Sequence, residues 1–206
     1  MEQIAEIREK IYDYFHGSDA CQNFFFDDAQ EEKYAAYYTS MYLLQDTTES
    51  LIDHRQKGFS TDPFEAYIQF WGVTQAVFIQ QDSICELHEA VTGSKLDTRN
   101  LISWQSLRQL RNTCAGHPAK KDRPKTSPVT RTFMGRDFGG YSSLTYEQWR
   151  RQGGISHPSV NLGELMDKYA EEAKDKLLMI QKNYLISYQK VDIAKLSIIV
   201  PIKAFM

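Results

Sequence analysis

The sequence predicts an all-α fold, a bundle of about five helices with one long glycine-rich insertion between the last two. Three observations carry this. Apolar and aromatic residues recur at three- and four-residue intervals over most of the chain. Helix start and stop signals bracket those stretches. Between Pro118 and about Val160 the periodicity breaks down around Gly135, Gly139, Gly140, Gly153 and Gly154. A chain of 206 residues, 42% hydrophobic and 25% charged, can bury a real core and is expected to form a single domain over residues 1–206.

Ile4, Ile7, Ile11 and Phe15 define a first amphipathic helix that ends near Gly17. Asp27-Asp28 can cap a second, which carries Tyr34, Tyr37, Tyr38, Met41 and Leu44 and fades toward Gly58. Asp62-Pro63 starts a third, because proline at the first helical position loses no hydrogen bond; Gly93 stops it after about Val91. Its apolar residues, Phe64 through Leu87, surround most of the circumference, as in a central buried helix. A fourth helix from near Asn100 turns Leu101, Trp104, Leu107, Leu110 and Cys114 inward and ends at Gly116 and Pro118. Asn161 with Glu164 forms a capping box for the fifth, whose stripe runs from Leu162 to Tyr184. In the 118–160 insertion, Val129 to Phe133 and Tyr141 to Tyr146 read as the two strands of a small hairpin. Residues 190–206 read as a tail whose Leu196–Val200 run packs or meets a partner.

Cys21, Cys85 and Cys114 are odd in number and far apart, so neither a disulfide framework nor a zinc site is implied. The charged start of the chain lacks the apolar run of a signal peptide. No run of about 20 apolar residues can span a bilayer. A soluble cytoplasmic protein without membrane association is expected. P-loop, dinucleotide-binding, HExxH and nucleophile-elbow patterns are absent.

On a wheel of about 100° per residue, Arg111 falls between Trp104 and Leu107, inside the apolar stripe of the fourth helix. A guanidinium there must be paired or must line a polar cleft. Arg108 and Asn112 share the neighbouring face. His117 would rotate away from Arg111 on a continuing helix, but Gly116 favours a left-handed terminus and Pro118 disfavours helical angles before it. His117 then folds back toward Arg111. Lys120, Lys121, Arg123, Lys125, Arg131 and Arg136 follow, with Asp122 as the acid among them. The net charge of −3 does not predict nucleic-acid binding in bulk, yet this local run is what a phosphate-backbone ligand requires.

The segment Arg111-Asn112-Thr113-Cys114-Ala115-Gly116-His117 resembles the signature of the HEPN superfamily: an arginine, a polar residue, then a histidine after a short spacer. The resemblance implies a HEPN-like helical domain acting as a metal-independent endoribonuclease in a toxin–antitoxin or other defence setting. It implies a homodimer, RNA as substrate, an antitoxin or defence-system partner, and no cofactor or metal. RNA brings its own nucleophile, the 2′-hydroxyl, so the protein has to move protons and stabilise a phosphorane. His117 would be the general base or acid. Arg111 would neutralise developing phosphoryl charge, and Asn112 would orient phosphate or imidazole. Arg108, Lys120, Lys121 and Arg123 would hold the substrate. The alternatives are an inactive HEPN-type module that binds RNA, a nucleotide or a protein, and a structural protein in which Arg111 and His117 form a buried polar staple.

Gln80-Gln81-Asp82 interrupt the third helix, and Asp82 either supports the site, by orienting His117 or pairing with Arg111, or lies plainly on the surface. His88 reads as a satisfied core histidine, His16 and His54 as helix-end residues without identifiable partners, and His157 as a loop residue.

Overall fold

A computed structural model describes residues 1–116, 118, 129–151 and 153–198, with backbone only for 184–198. Its helices are α1 (Glu2–Gly17), α2 (Asp19–Phe25), α3 (Glu31–Lys57), α4 (Pro63–Thr92), α5 (Ile102–Arg111) and α6 (Leu162–Ile198). Between α5 and α6 lie β1 (Thr130–Phe133), β2 (Leu144–Thr145), β3 (Glu147–Arg150), β4 (Gly154–Ser156) and β5 (Ser159–Val160). The fold is therefore largely helical with a small antiparallel sheet region, which amends the all-α expectation.

The first helix buries Ile4, Ile7, Ile11 and Phe15 as their spacing requires. Ser18 then accepts a hydrogen bond from the Cys21 N–H at 3.3 Å and opens α2, a helix the sequence reading missed. Asp27 caps a single 3₁₀ turn, accepting from the Ala29 N–H at 2.8 Å, and α3 begins immediately after that turn. Asp62 accepts from the N–H groups of Phe64 (3.0 Å) and Glu65 (2.9 Å), with Pro63 in the first turn, so α4 starts where its signals lie. It ends on Gly93 at φ 71°, a left-handed stop.

Helix α4 packs against α3, α5 and α6. Its Gln80 and Gln81 do not break the buried surface; both side chains lie fully inside it. Gln80 Nε2 donates to Thr48 Oγ1 of α3 at 2.7 Å, and the Tyr169 hydroxyl of α6 donates to Gln80 Oε1 at 2.8 Å. Gln81 Nε2 donates to the Trp104 carbonyl of α5 at 3.1 Å. Glu172 of α6 completes the arrangement by accepting from the N–H groups of Ser103 (3.0 Å) and Trp104 (2.8 Å). It caps, from another helix, a start that lacks a side-chain cap of its own.

The hairpin expectation is corrected. Strand β1 pairs with β3, matching Arg131 to Trp149, and β3 pairs with β4, matching Trp149 to Ile155. Within Tyr141 to Tyr146, Leu144–Thr145 pairs instead with β5. The reason is packing: Met134, Phe138 and Leu144 all enter the hydrophobic core, which draws the stretch between β1 and β3 inward and delays the partner strand. Gly139, at φ 87°, makes the turn in that stretch; a Cβ there would sit 2.1 Å from the Ser143 carbonyl oxygen.

The insertion is docked on the bundle. The Met134 N–H donates to the Tyr67 hydroxyl at 3.1 Å, and Phe138 packs among Phe59, Tyr67 and Phe70. The Tyr141 hydroxyl bonds His54 Nδ1 at 2.7 Å, and Arg55 lies over the Tyr141 ring. His54 thus has a partner, contrary to expectation. Asn161 caps α6 by accepting from the Glu164 N–H at 2.9 Å, and α6 continues to Ile198, into the stretch read as a tail. Residues 199–206 lie outside the described residues. No helix among the described residues is long and apolar enough to cross a membrane.

Replacing Gln80 by Leu strands the Tyr169 hydroxyl in the core. Urea unfolding should show a loss of about 2 kcal/mol, partly recovered when Tyr169→Phe is added; additive losses would deny the coupling. Burial also holds the His54 imidazole below its ordinary range. As pH falls through about 6.5, the unfolded chain takes up the proton first, so stability declines on acidification. The melting temperature of the wild type should drop more steeply than that of His54→Gln between about pH 7.5 and 5.5; parallel profiles would contradict this.

Candidate functional site

Helices α4 and α5 run antiparallel where they meet, so that Gln75 faces Arg111 and Asp82 faces Arg108. Gln75, Phe78 and Asp82 recur at three- and four-residue intervals and form one face of α4. Arg108 and Arg111 form the matching edge of α5. Arg111 donates from Nε (3.2 Å) and Nη2 (2.9 Å) to the same Gln75 Oε1 atom, and from Nη1 to Asn112 Oδ1 at 3.1 Å. Its Cζ lies 4.6 Å from the centroid of the Phe78 ring, and that of Arg108 lies 4.2 Å from the same ring. Two guanidinium groups therefore share one aromatic platform.

The two arginines differ in their counter-charge. Arg108 forms an ion pair with Asp82, an exposed residue; of the readings open for Asp82, pairing with Arg111 is the one the geometry does not show. The partners of Arg111 are neutral amides, so among the described residues its charge is held in place without being cancelled. Three of the five N–H donors of a guanidinium are used in this way. The other two make no hydrogen bond among the described residues.

Past Arg111 the backbone widens into a π-helical turn, Asn112–Gly116, a distortion that often marks functional positions in helices. Gly116 does not take the expected left-handed conformation; the glycines with positive φ are Gly58, Gly93, Gly139 and Gly154. Its small size matters instead: a Cβ at position 116 would lie 2.8 Å from Arg111 Nη1 and 3.5 Å from Asn112 Oδ1, so a larger residue would displace the tip of the arginine side chain. Cys114, within the turn, is buried, and burial pushes its thiol up to about 12. It remains a protonated thiol at neutral pH and is no nucleophile.

Of the residues singled out in the sequence, Arg108, Arg111, Asn112 and Asp82 are thus brought together. His117, Lys120, Lys121 and Arg123 lie outside the described residues. The chain on either side of His117 is placed: Gly116 lies against Arg111, and the Pro118 carbonyl accepts from the Thr132 N–H of β1 at 2.8 Å. The sequence reading missed Gln75 and treated Phe78 as core; their recurrence with Asp82 on one face was the available signal. His88 is a satisfied histidine, its Nδ1 2.8 Å from the Ser94 carbonyl. His157 approaches Glu147 at 3.4 Å. Among the described residues, no group of three or more His, Cys, Asp or Glu side chains could hold a metal ion. No family model, curated protein or solved structure matches the chain.

Changing either neighbour should move Arg111 without disturbing the bundle. Gly116→Ala should shift the Arg111 Nε–H resonance in a side-chain NMR spectrum while leaving helical circular dichroism intact. Gln75→Leu should do the same at a cost of about 1 kcal/mol in urea. An unmoved resonance in both variants would mean that neither contact holds the guanidinium.

Proposed function

We propose that the end of α5 is the phosphate-binding half of a HEPN-like, metal-independent endoribonuclease site that cleaves single-stranded RNA through attack of its 2′-hydroxyl. One observation supports this reading above the others: Arg111 is oriented by neutral amides on an aromatic ring, beside a glycine that brings the main chain against it one residue before His117. An oriented but uncancelled guanidinium is suited to the equatorial oxygens of a phosphorane, where two-pronged donation strengthens as charge develops. His117 moves the proton, as base toward the 2′-hydroxyl or as acid toward the leaving oxygen. Asn112 orients Arg111 by accepting from Nη1 through its Oδ1, which leaves its Nδ2 to donate to a phosphate oxygen. Lys120, Lys121 and Arg123 supply positive charge for the strand, and Arg108 adds its own share, reduced by Asp82.

One histidine per half-site favours a two-fold homodimer, in which an isologous contact supplies the second proton-transfer group. A toxin or other defence role, regulated by an antitoxin or partner protein in the cytoplasm, fits such an activity. A second reading is favoured by the same hydrogen bonds: three internal bonds to Arg111 are also what a structural staple between α4 and α5 would have.

The purified protein should cut single-stranded RNA in the presence of a chelator and leave a 2′,3′-cyclic phosphate. His117→Ala and Arg111→Ala should each lower the rate by about 100-fold or more with the fold intact, and mixing the two variants should restore part of it. Equal activity in wild type and variants would end the ribonuclease reading. Loss of folding in Arg111→Ala, with no RNA cleavage by the folded wild type, would establish the staple instead.

A further inference from the structure

The three-stranded sheet has one face turned to the bundle and one turned outward. Thr130, Thr132 and Gln148 point inward and are buried. The alternate positions present Arg131, Phe133, Trp149 and Ile155 to the outside, with Phe133 54%, Trp149 36% and Ile155 61% exposed. Two aromatic rings and an isoleucine on so short a sheet are costly to leave in water unless a ligand covers them. The face is also cationic at its edge. The Arg131 guanidinium lies 5.0 Å from the Trp149 ring centroid, and Glu147, the acid on this face, is approached by His157 at 3.4 Å. Between 129 and 160 the described residues hold Arg131, Arg136, Arg150 and Arg151 against Asp137 and Glu147.

The position of the face matters as much as its composition. A cavity of about 330 Å³ is lined by Pro118, Arg131, Thr132, Phe133, Glu147 and Trp149. Pro118 is bonded covalently to His117 and through its carbonyl to Thr132, and Gly116 lies against Arg111. Strand β1 also contacts the π-helical turn that follows Arg111, so the sheet adjoins the candidate phosphate site.

We propose that this face is a stacking platform for the bases of single-stranded RNA, Trp149 and Phe133 each receiving one base while the flanking basic residues follow the backbone. Aromatic side chains on an open sheet stack unpaired bases without regard to sequence, and Arg adds to the same stack. Phe133 and Trp149 are diagonal neighbours on paired antiparallel strands, about 7–8 Å apart at the backbone, so consecutive splayed nucleotides can reach both. A protein partner would account for the apolar rings but not for the excess of arginine over acid in the same segment. The inference takes from the proposed function its choice of single-stranded RNA as the ligand.

The test is binding of the full chain to a short single-stranded oligonucleotide carrying 2′-O-methyl groups, which has no nucleophile and cannot be cut. Fluorescence anisotropy should show Trp149→Ala and Phe133→Ala each weakening binding by about 5- to 100-fold, with Trp149→Phe close to wild type. A sugar-phosphate strand lacking bases should bind wild type and Trp149→Ala alike. Unchanged affinity in both alanine variants, with Arg111→Ala weakened, would overturn the platform and leave the phosphate site standing. A strong Trp149 effect with none from Arg111→Ala would keep the platform and remove the phosphate site. Equal loss on the base-free strand would show that the effect is not stacking. Unchanged RNA affinity with weakened self-association in sedimentation would assign the face to a contact between copies of this chain.

Discussion

Adjacent glutamines in the middle of α4 tie the bundle together. Gln80 receives Tyr169 from α6 and gives to Thr48 of α3, while Gln81 gives to the Trp104 carbonyl of α5. In a buried environment each of these groups would be costly without its partner, so the three neighbouring helices are held to one rotation and one height along α4. Hydrophobic burial alone would tolerate sliding by small amounts; directional bonds between fully buried side chains do not. Glu172 adds a second constraint by closing the start of α5 from α6.

The candidate site inherits this fixed register. With Trp104 pinned to Gln81, the following turns of α5 bring Arg108 opposite Asp82 and Arg111 opposite Gln75. The chemistry then divides unequally between two arginines stacked on one phenyl ring. The outer one is matched by a carboxylate, and the inner one is matched by amides. A half-buried guanidinium held by amides keeps its charge directed outward at a modest desolvation cost, because its edge still meets solvent. That asymmetry makes Arg111, and not Arg108, the better candidate for phosphate.

The insertion extends the same logic outward. Its core-facing residues, Met134, Phe138 and Leu144, make it part of the hydrophobic cluster, and the Tyr141 to His54 bond ties its turn to the end of α3. A segment that looks like a long loop in sequence is a small docked lobe, rigid enough to present Trp149 and Phe133 on one side. Its first strand contacts the π-helical turn beside Arg111, so the lobe adjoins the site.

Features set by neighbours in sequence were legible from the sequence. The start of α4 at Asp62-Pro63 and its stop at Gly93, the cap of α6 at Asn161 and the buried stripe of α1 all depend on contacts within a few residues, and residue type alone specifies them. The placing of Arg111 on the inward edge of α5 was equally local, a matter of helical rotation. The short α2 escaped because its cap at Ser18 follows so closely on Gly17 that the two helices read as one and a loop. Only the tertiary structure decided that Gln80 and Gln81 are core, that Asp82 belongs to Arg108, and that β1 takes Glu147–Arg150 as its partner. Those outcomes depend on which side chains the packed helices oppose, and on how far Phe138 and Leu144 draw the chain inward, and a linear pattern carries neither distance.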